Sequence, residues 1–81
     1  MQGKDVSGKK VSVIGAARSG IAVAELLRTK GSRVFVSDSG NAEKLASQVA
    51  HLNSAGIEIE TGKHSERVYD ADLIVISPGV P

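Results

Sequence analysis

Two glycines five residues apart, Gly15 and Gly20, bracket the segment GAARSG at the end of the apolar run KKVSVI. A glycine for a tight turn after a strand, and another for close helix packing, are two of the three in a G-x-G-x-x-G phosphate loop. The middle position is Ala17. At the head of the helix that follows, the N–H groups near Arg18 and Ser19 have no intrahelical acceptor and carry the positive end of the helix dipole. A phosphate is a natural partner there, with Arg18 and the Ser19 hydroxyl as added donors. A second reading stays open on these residues alone, in which Gly15 and Gly20 serve packing and Arg18 is a solvated surface residue. Ala17 bears on which phosphate is meant. The second glycine lets the backbone approach a dinucleotide pyrophosphate closely, so a methyl group there weakens the case for NAD or FAD.

Two other segments carry polar or conformationally special residues. Asp38 closes RVFVSD, 18 residues after Gly20, near the interval at which an acidic residue accepts from a ribose hydroxyl. A carboxylate accepts equally from the N–H of a uracil base. The alternative is a turn residue bonding its own backbone, together with Ser39 and Gly40. In SPGVP, Pro78 stiffens the chain and Gly79 permits the close approach of a ligand, or simply a strand-ending turn. His51 falls off the apolar stripe of its helix and reads as solvated. His64, in TGKHS, is near a strand end but has no evident partner. Asp70 and Asp72 read as turn and cap residues. The sequence contains no metal-ligand spacing, nucleophile–base pair or G-x-x-x-x-G-K-[ST] loop. It reads as a binding domain with no catalytic residue and no cofactor of its own.

Positioning these groups falls to a regular alternation of strands and helices. Residues 11–14 read as a strand ending at Gly15. From 18 to 30, Gly20, Val23, Ala24 and Leu27 lie on one helical face, and Gly31 ends the helix. RVFVSD is a second strand. Asn41 is a candidate N-cap for a second helix with Leu45, Val49 and Leu52 as its stripe and Gly56 as its stop. IEIET alternates as a half-buried edge strand does, and HSERVYDAD is a loop with one helical turn. LIVIS is apolar throughout, as a strand covered on both faces would be. The expected fold is α/β, a Rossmann-like doubly wound parallel sheet ordered 3-2-1-4 in one small domain. In such sheets ligands bind beyond the carboxyl ends of the strands, where the order reverses. GAARSG, SDS and SPGVP all fall at that edge.

Composition narrows the classes further. Eighty-one residues, 41% hydrophobic and 23% charged, suit one soluble domain burying roughly 60–65% of its unfolded surface. A formal charge of +1 gives no footprint for nucleic acid or a membrane surface. One Phe, one Tyr and no Trp are too few for base-stacking platforms. Without cysteine there is no disulfide framework, which fits a reducing compartment.

KKVSVIGAARSGIAVAELLRTKGSRVFVSDS, GIEIETGKH and DADLIVISPGVP together resemble the N-terminal domain of the Mur ligases, and within that family its D-glutamate-adding branch. The similarity runs from Lys9 to Pro81, and ADLIVISPGVP is its most specific part. The resemblance implies that the domain holds the uridine diphosphate part of UDP-N-acetylmuramoyl-L-alanine in the GAARSG loop of Gly15, Ala17 and Gly20. Backbone groups at Arg18 and Ser19 would bind the diphosphate, Asp38 and Ser39 the uracil and ribose, and Gly79 the diphosphate from the other side. Relatives often carry glycine where Ala17 stands. Some carry an arginine near the uracil where Gly40 stands, so that contact does not transfer. Also implied is a longer, cytoplasmic bacterial protein with a central domain using ATP and Mg2+ and an amino-acid-binding C-terminal domain. In it ATP would phosphorylate the substrate's terminal carboxylate, and the amine of D-glutamate would attack the acyl phosphate. The expected organisation is a tail, 1–8, and a UDP-binding domain, 9–81, inert by itself. The rival is an NAD- or FAD-type module of an oxidoreductase or regulatory subunit.

Overall fold

The computed structural model describes residues 7–77. Four strands, β1 (Lys10–Ile14), β2 (Arg33–Asp38), β3 (Glu58–Thr61) and β4 (Leu73–Ile76), form one sheet ordered β3-β2-β1-β4. All three pairings are parallel, with Val13 opposite Val36 on one side and Val75 on the other. This is the Rossmann-like order that the alternation of elements predicts. The helices α1 (Arg18–Thr29) and α2 (Ala46–Ser54) make the crossovers.

Side-chain alternation assigns the two faces. Val11, Val13, Val34 and Val36 join Ala24 of α1, Leu52 of α2 and Ile57 in one core, so both helices cover the same face, as right-handed crossovers in one direction require. Gly20 and Ala24 are buried along α1 with Val23 and Leu27 packed beside them, which is the predicted stripe, and Ile21 widens it. Glu25 and His51 pair across the two helices at 2.6 Å. The opposite face is covered by a single 3-10 turn, Glu66–Tyr69, capped by Ser65, whose hydroxyl accepts from Arg67 N–H. Ser12 Oγ donates to Val68 O at 2.9 Å, and the Arg67 guanidinium lies 4.3 Å from the Phe35 ring centroid.

Two expectations are corrected. β4 is not covered on both faces. It lies at the sheet edge with Leu73, Ile74 and Ile76 at 46%, 45% and 68% exposure. Val75 alone of the strand reaches the helical core, and the 3-10 turn covers Ser12 and Phe35 without extending over Ile74 and Ile76. The second helix also starts later than Asn41. Asn41 Oδ1 accepts from Lys44 N–H at 2.8 Å and Asn41 O from Leu45 N–H at 3.2 Å. Residues 42–45 therefore close a turn of their own before regular helix begins at Ala46. The remaining boundaries differ from the sequence reading by one or two residues, within the fraying of element ends.

Candidate functional site

The carboxyl ends of β1, β2 and β4 are tied into one edge by short polar contacts. Gly15 has φ of +104° and its N–H donates to Ser37 O at 2.8 Å, so the turn after β1 is anchored to the end of β2. Asp38 reinforces the same junction. Its Oδ2 accepts from Ala16 N–H at 2.8 Å and its Oδ1 from Gly40 N–H at 2.7 Å. The Gly40 bond is the turn role that the sequence offered as the alternative for Asp38. The Ala16 bond, which reaches back into the glycine loop, had no local signal.

On the other side, Ser77 N–H donates to Ile14 O at 2.9 Å, and Ser77 Oγ meets Ser19 Oγ at 3.0 Å. The head of α1 is thereby held against the end of β4. Gly20 is required for this approach: a Cβ there would drive into the Gly15 carbonyl oxygen and reach Ser77 Cβ at 3.3 Å. Ser19 is half-buried and its hydroxyl already has a partner, whereas Arg18 and Ser39 are exposed. Gly79 and the rest of PGVP lie outside the described residues.

Ala17 is the N-cap of α1, with φ of −72°, a conformation open to any residue, and it supplies no side-chain acceptor. The first turn contains no acidic residue. Its first backbone bond runs from Ile21 N–H to Ala17 O. The N–H groups of Arg18, Ser19 and Gly20 thus have no helical acceptor, and no side chain of the first turn neutralises the dipole. The arrangement can accept an anion at α1 while Asp38 stands at the next strand end.

A third cluster lies on the opposite face at the same edge. Ser37, fully buried, touches Glu60 Oε2 at 2.6 Å and His64 Nδ1 at 2.7 Å. Glu60 also accepts from Ser65 N–H at 2.8 Å and Ser65 Oγ at 2.6 Å. Burial pushes the Glu60 carboxyl up, but the bonds from Ser37 and Ser65 and the charge of Arg67 outweigh it, leaving the carboxyl below its ordinary value. Serine, histidine and glutamate are the types of a nucleophilic triad, but here the hydroxyl stands between the other two. In a triad the imidazole does, so this cluster is no nucleophile. His64 is therefore not the partnerless histidine of the sequence reading. His51 is exposed as expected. Asp72 and Asp70 bind Lys10 N–H and Nζ, at 2.8 and 3.0 Å, pinning the start of β4 to β1.

Among the described residues, no group of three or more His, Cys, Asp or Glu is placed to hold a metal ion. A shallow cavity of about 250 Å³ lined by Arg28, Arg33 and Glu58 lies at the amino ends of β2 and β3, opposite the edge where the polar groups converge. The chemistry favours the carboxyl edge.

Residues 10–81 match the family model described as the MurD N-terminal domain. The chain is 53% identical over 77 residues to a UDP-N-acetylmuramoylalanine--D-glutamate ligase of Chlorobium limicola, covering 95% of the chain and 16% of that protein. It is 47% identical over 81 residues to the ligase of the same name from Chloroherpeton thalassium, covering all of the chain and 17% of that protein. The chain thus spans about one sixth of the length of these curated relatives. Among solved structures it resembles the dipicolinate synthase A chain from Bacillus subtilis, with a TM-score of 0.72 at 23% identity over 90% of this chain and 23% of that one. It also resembles shikimate dehydrogenase from Aquifex aeolicus, with a TM-score of 0.70 at 23% identity over 94% of this chain and 27% of that one. These two likenesses show the fold.

Proposed function

The chain belongs to the MurD N-terminal domain family, and from that premise we propose that it holds the uridine diphosphate part of UDP-N-acetylmuramoyl-L-alanine for a ligase that adds D-glutamate. The observation that carries this reading is the uncapped head of α1, fixed by Gly20 and Ser77 beside Asp38 at one strand edge. Backbone N–H groups of Arg18, Ser19 and Gly20 take the diphosphate, with the Arg18 guanidinium adding charge. Gly15 keeps the loop low, and Asp38 and Ser39 face the ribose and uracil. Gly79 takes the far side of the diphosphate. The Ser19 hydroxyl remains on Ser77 or turns to the ligand.

The domain, residues 9–81, binds and orients, and carries no step of bond formation. The parent protein is an ATP-dependent ligase of the bacterial cytoplasm. Its ATP, Mg2+ and amino-acid sites belong to further domains of the same polypeptide, a reading supported by the one sixth of the matching ligases' length that this chain spans. No helix among the described residues is long and apolar enough to cross a membrane.

Titration of the 15N-labelled chain with UDP and, separately, with NAD+ tests the reading. UDP is expected to move the amides of Arg18, Ser19, Gly20 and Asp38. A response to NAD+ with none to UDP would overturn it in favour of a dinucleotide module.

A further inference from the structure

Asp38 is the acceptor the sequence offers to a base or ribose, yet both its oxygens already take backbone N–H groups, from Ala16 and Gly40. A second acceptor stands at the same edge. Ser37, the neighbour of Asp38 in β2, turns its side chain to the opposite face, where it meets Glu60 and His64. A serine hydroxyl has one proton to give. Ser37 gives it to Glu60 Oε2 at 2.6 Å, and Glu60, its carboxyl held low by these bonds, has none to return. The Ser37 oxygen must then accept in its 2.7 Å contact with His64 Nδ1. In the neutral form of the ring the proton then sits on Nδ1, and Nε2, on the far side of an exposed residue, carries a lone pair that can accept. His64 follows β3, whose last residue Thr61 is in register with Asp38, and Gly62 N–H bonds Gly40 O at 2.8 Å. The ring is thus fastened to the segment proposed to face the nucleoside.

We propose that His64 reads the uracil base, its Nε2 accepting the imide N–H of the ring. The inference rests on the uridine diphosphate reading above. Uridine presents that N–H, whereas inorganic pyrophosphate has no such group. The chain should therefore use His64 for UDP and not for pyrophosphate.

Side-chain 15N spectra of the wild-type chain give the most direct test. They should show the Nδ1–H tautomer for His64, with Nε2 moving when UDP is added and not when pyrophosphate is added. His64→Asn keeps an N–H toward Ser37 and removes the outer acceptor. It should weaken UDP binding roughly three- to tenfold and leave pyrophosphate binding unchanged. Wild-type affinity for UDP in H64N, an Nε2 unmoved at saturating UDP, or equal loss for both ligands would overturn the role of His64 while UDP binding itself stands. If wild-type chain binds pyrophosphate but not UDP, both this inference and the reading beneath it fall.

Discussion

Asp38 links two loops before any ligand arrives, which sets how its substitution must be read. Asp38→Ala leaves the N–H groups of Ala16 and Gly40 without their acceptor. It should cost about 1–3 kcal/mol of stability, measured by urea unfolding, as well as weakening UDP binding. Asp38→Asn keeps one amide oxygen for one of the two N–H groups, so its stability loss should be the smaller. Glu60 gives a pH signature at the same scale. Its carboxyl lies below the ordinary value in the fold, so its contribution is present above the unfolded-state value and is lost as pH falls through the folded-state value. Comparing unfolding of wild type and Glu60→Gln across the acidic range should show that portion of the acid sensitivity missing from the variant. Of these bonds only the one from Gly40 N–H to Asp38 was legible beforehand, as a local turn. Ser37 is 23 residues from Glu60 and 27 from His64, and nothing in their local spacing links them.

At the scale of elements, the sequence was readable where one local rule decides. The glycine pair, the β-branched strands and the apolar stripes each named their element, and the alternation of strand and helix named the sheet order. It was misleading where two rules compete. Asn41 is a good cap, but its bond to Lys44 N–H closes a separate turn rather than opening α2. LIVI has the composition of a buried strand, but the 3-10 turn on the outer face stops short of it and leaves Ile74 and Ile76 exposed, which composition does not encode. Two substitutions test the elements themselves. Gly20→Ala places a Cβ against the Gly15 backbone, which cannot swing aside as a side chain would. That variant should fail to give dispersed amide spectra. Leu52→Ala removes the fully buried anchor of α2 and should lower stability by about 2–5 kcal/mol in denaturant titration.

At the scale of the whole molecule, the sheet formed by the described residues has one helical face and one thinly covered face, with apolar β4 side chains exposed beside a strand edge that no described residue pairs. Such an edge is a template for pairing with another chain. The isolated 81-residue chain should self-associate as its concentration rises in sedimentation experiments. Ile76→Lys should suppress that without loss of stability, because Ile76 is 68% exposed. The register of β1 adds a constraint in time. Val11 pairs with Val34 on one side, 23 residues on, and with Leu73 on the other, 62 residues on. At synthesis rates of about 5–20 residues per second, β1 would wait roughly 3–12 seconds for β4 to be made. Of the four strands, β1 is therefore made before its partners, yet it is paired on both sides only once β4 has been made.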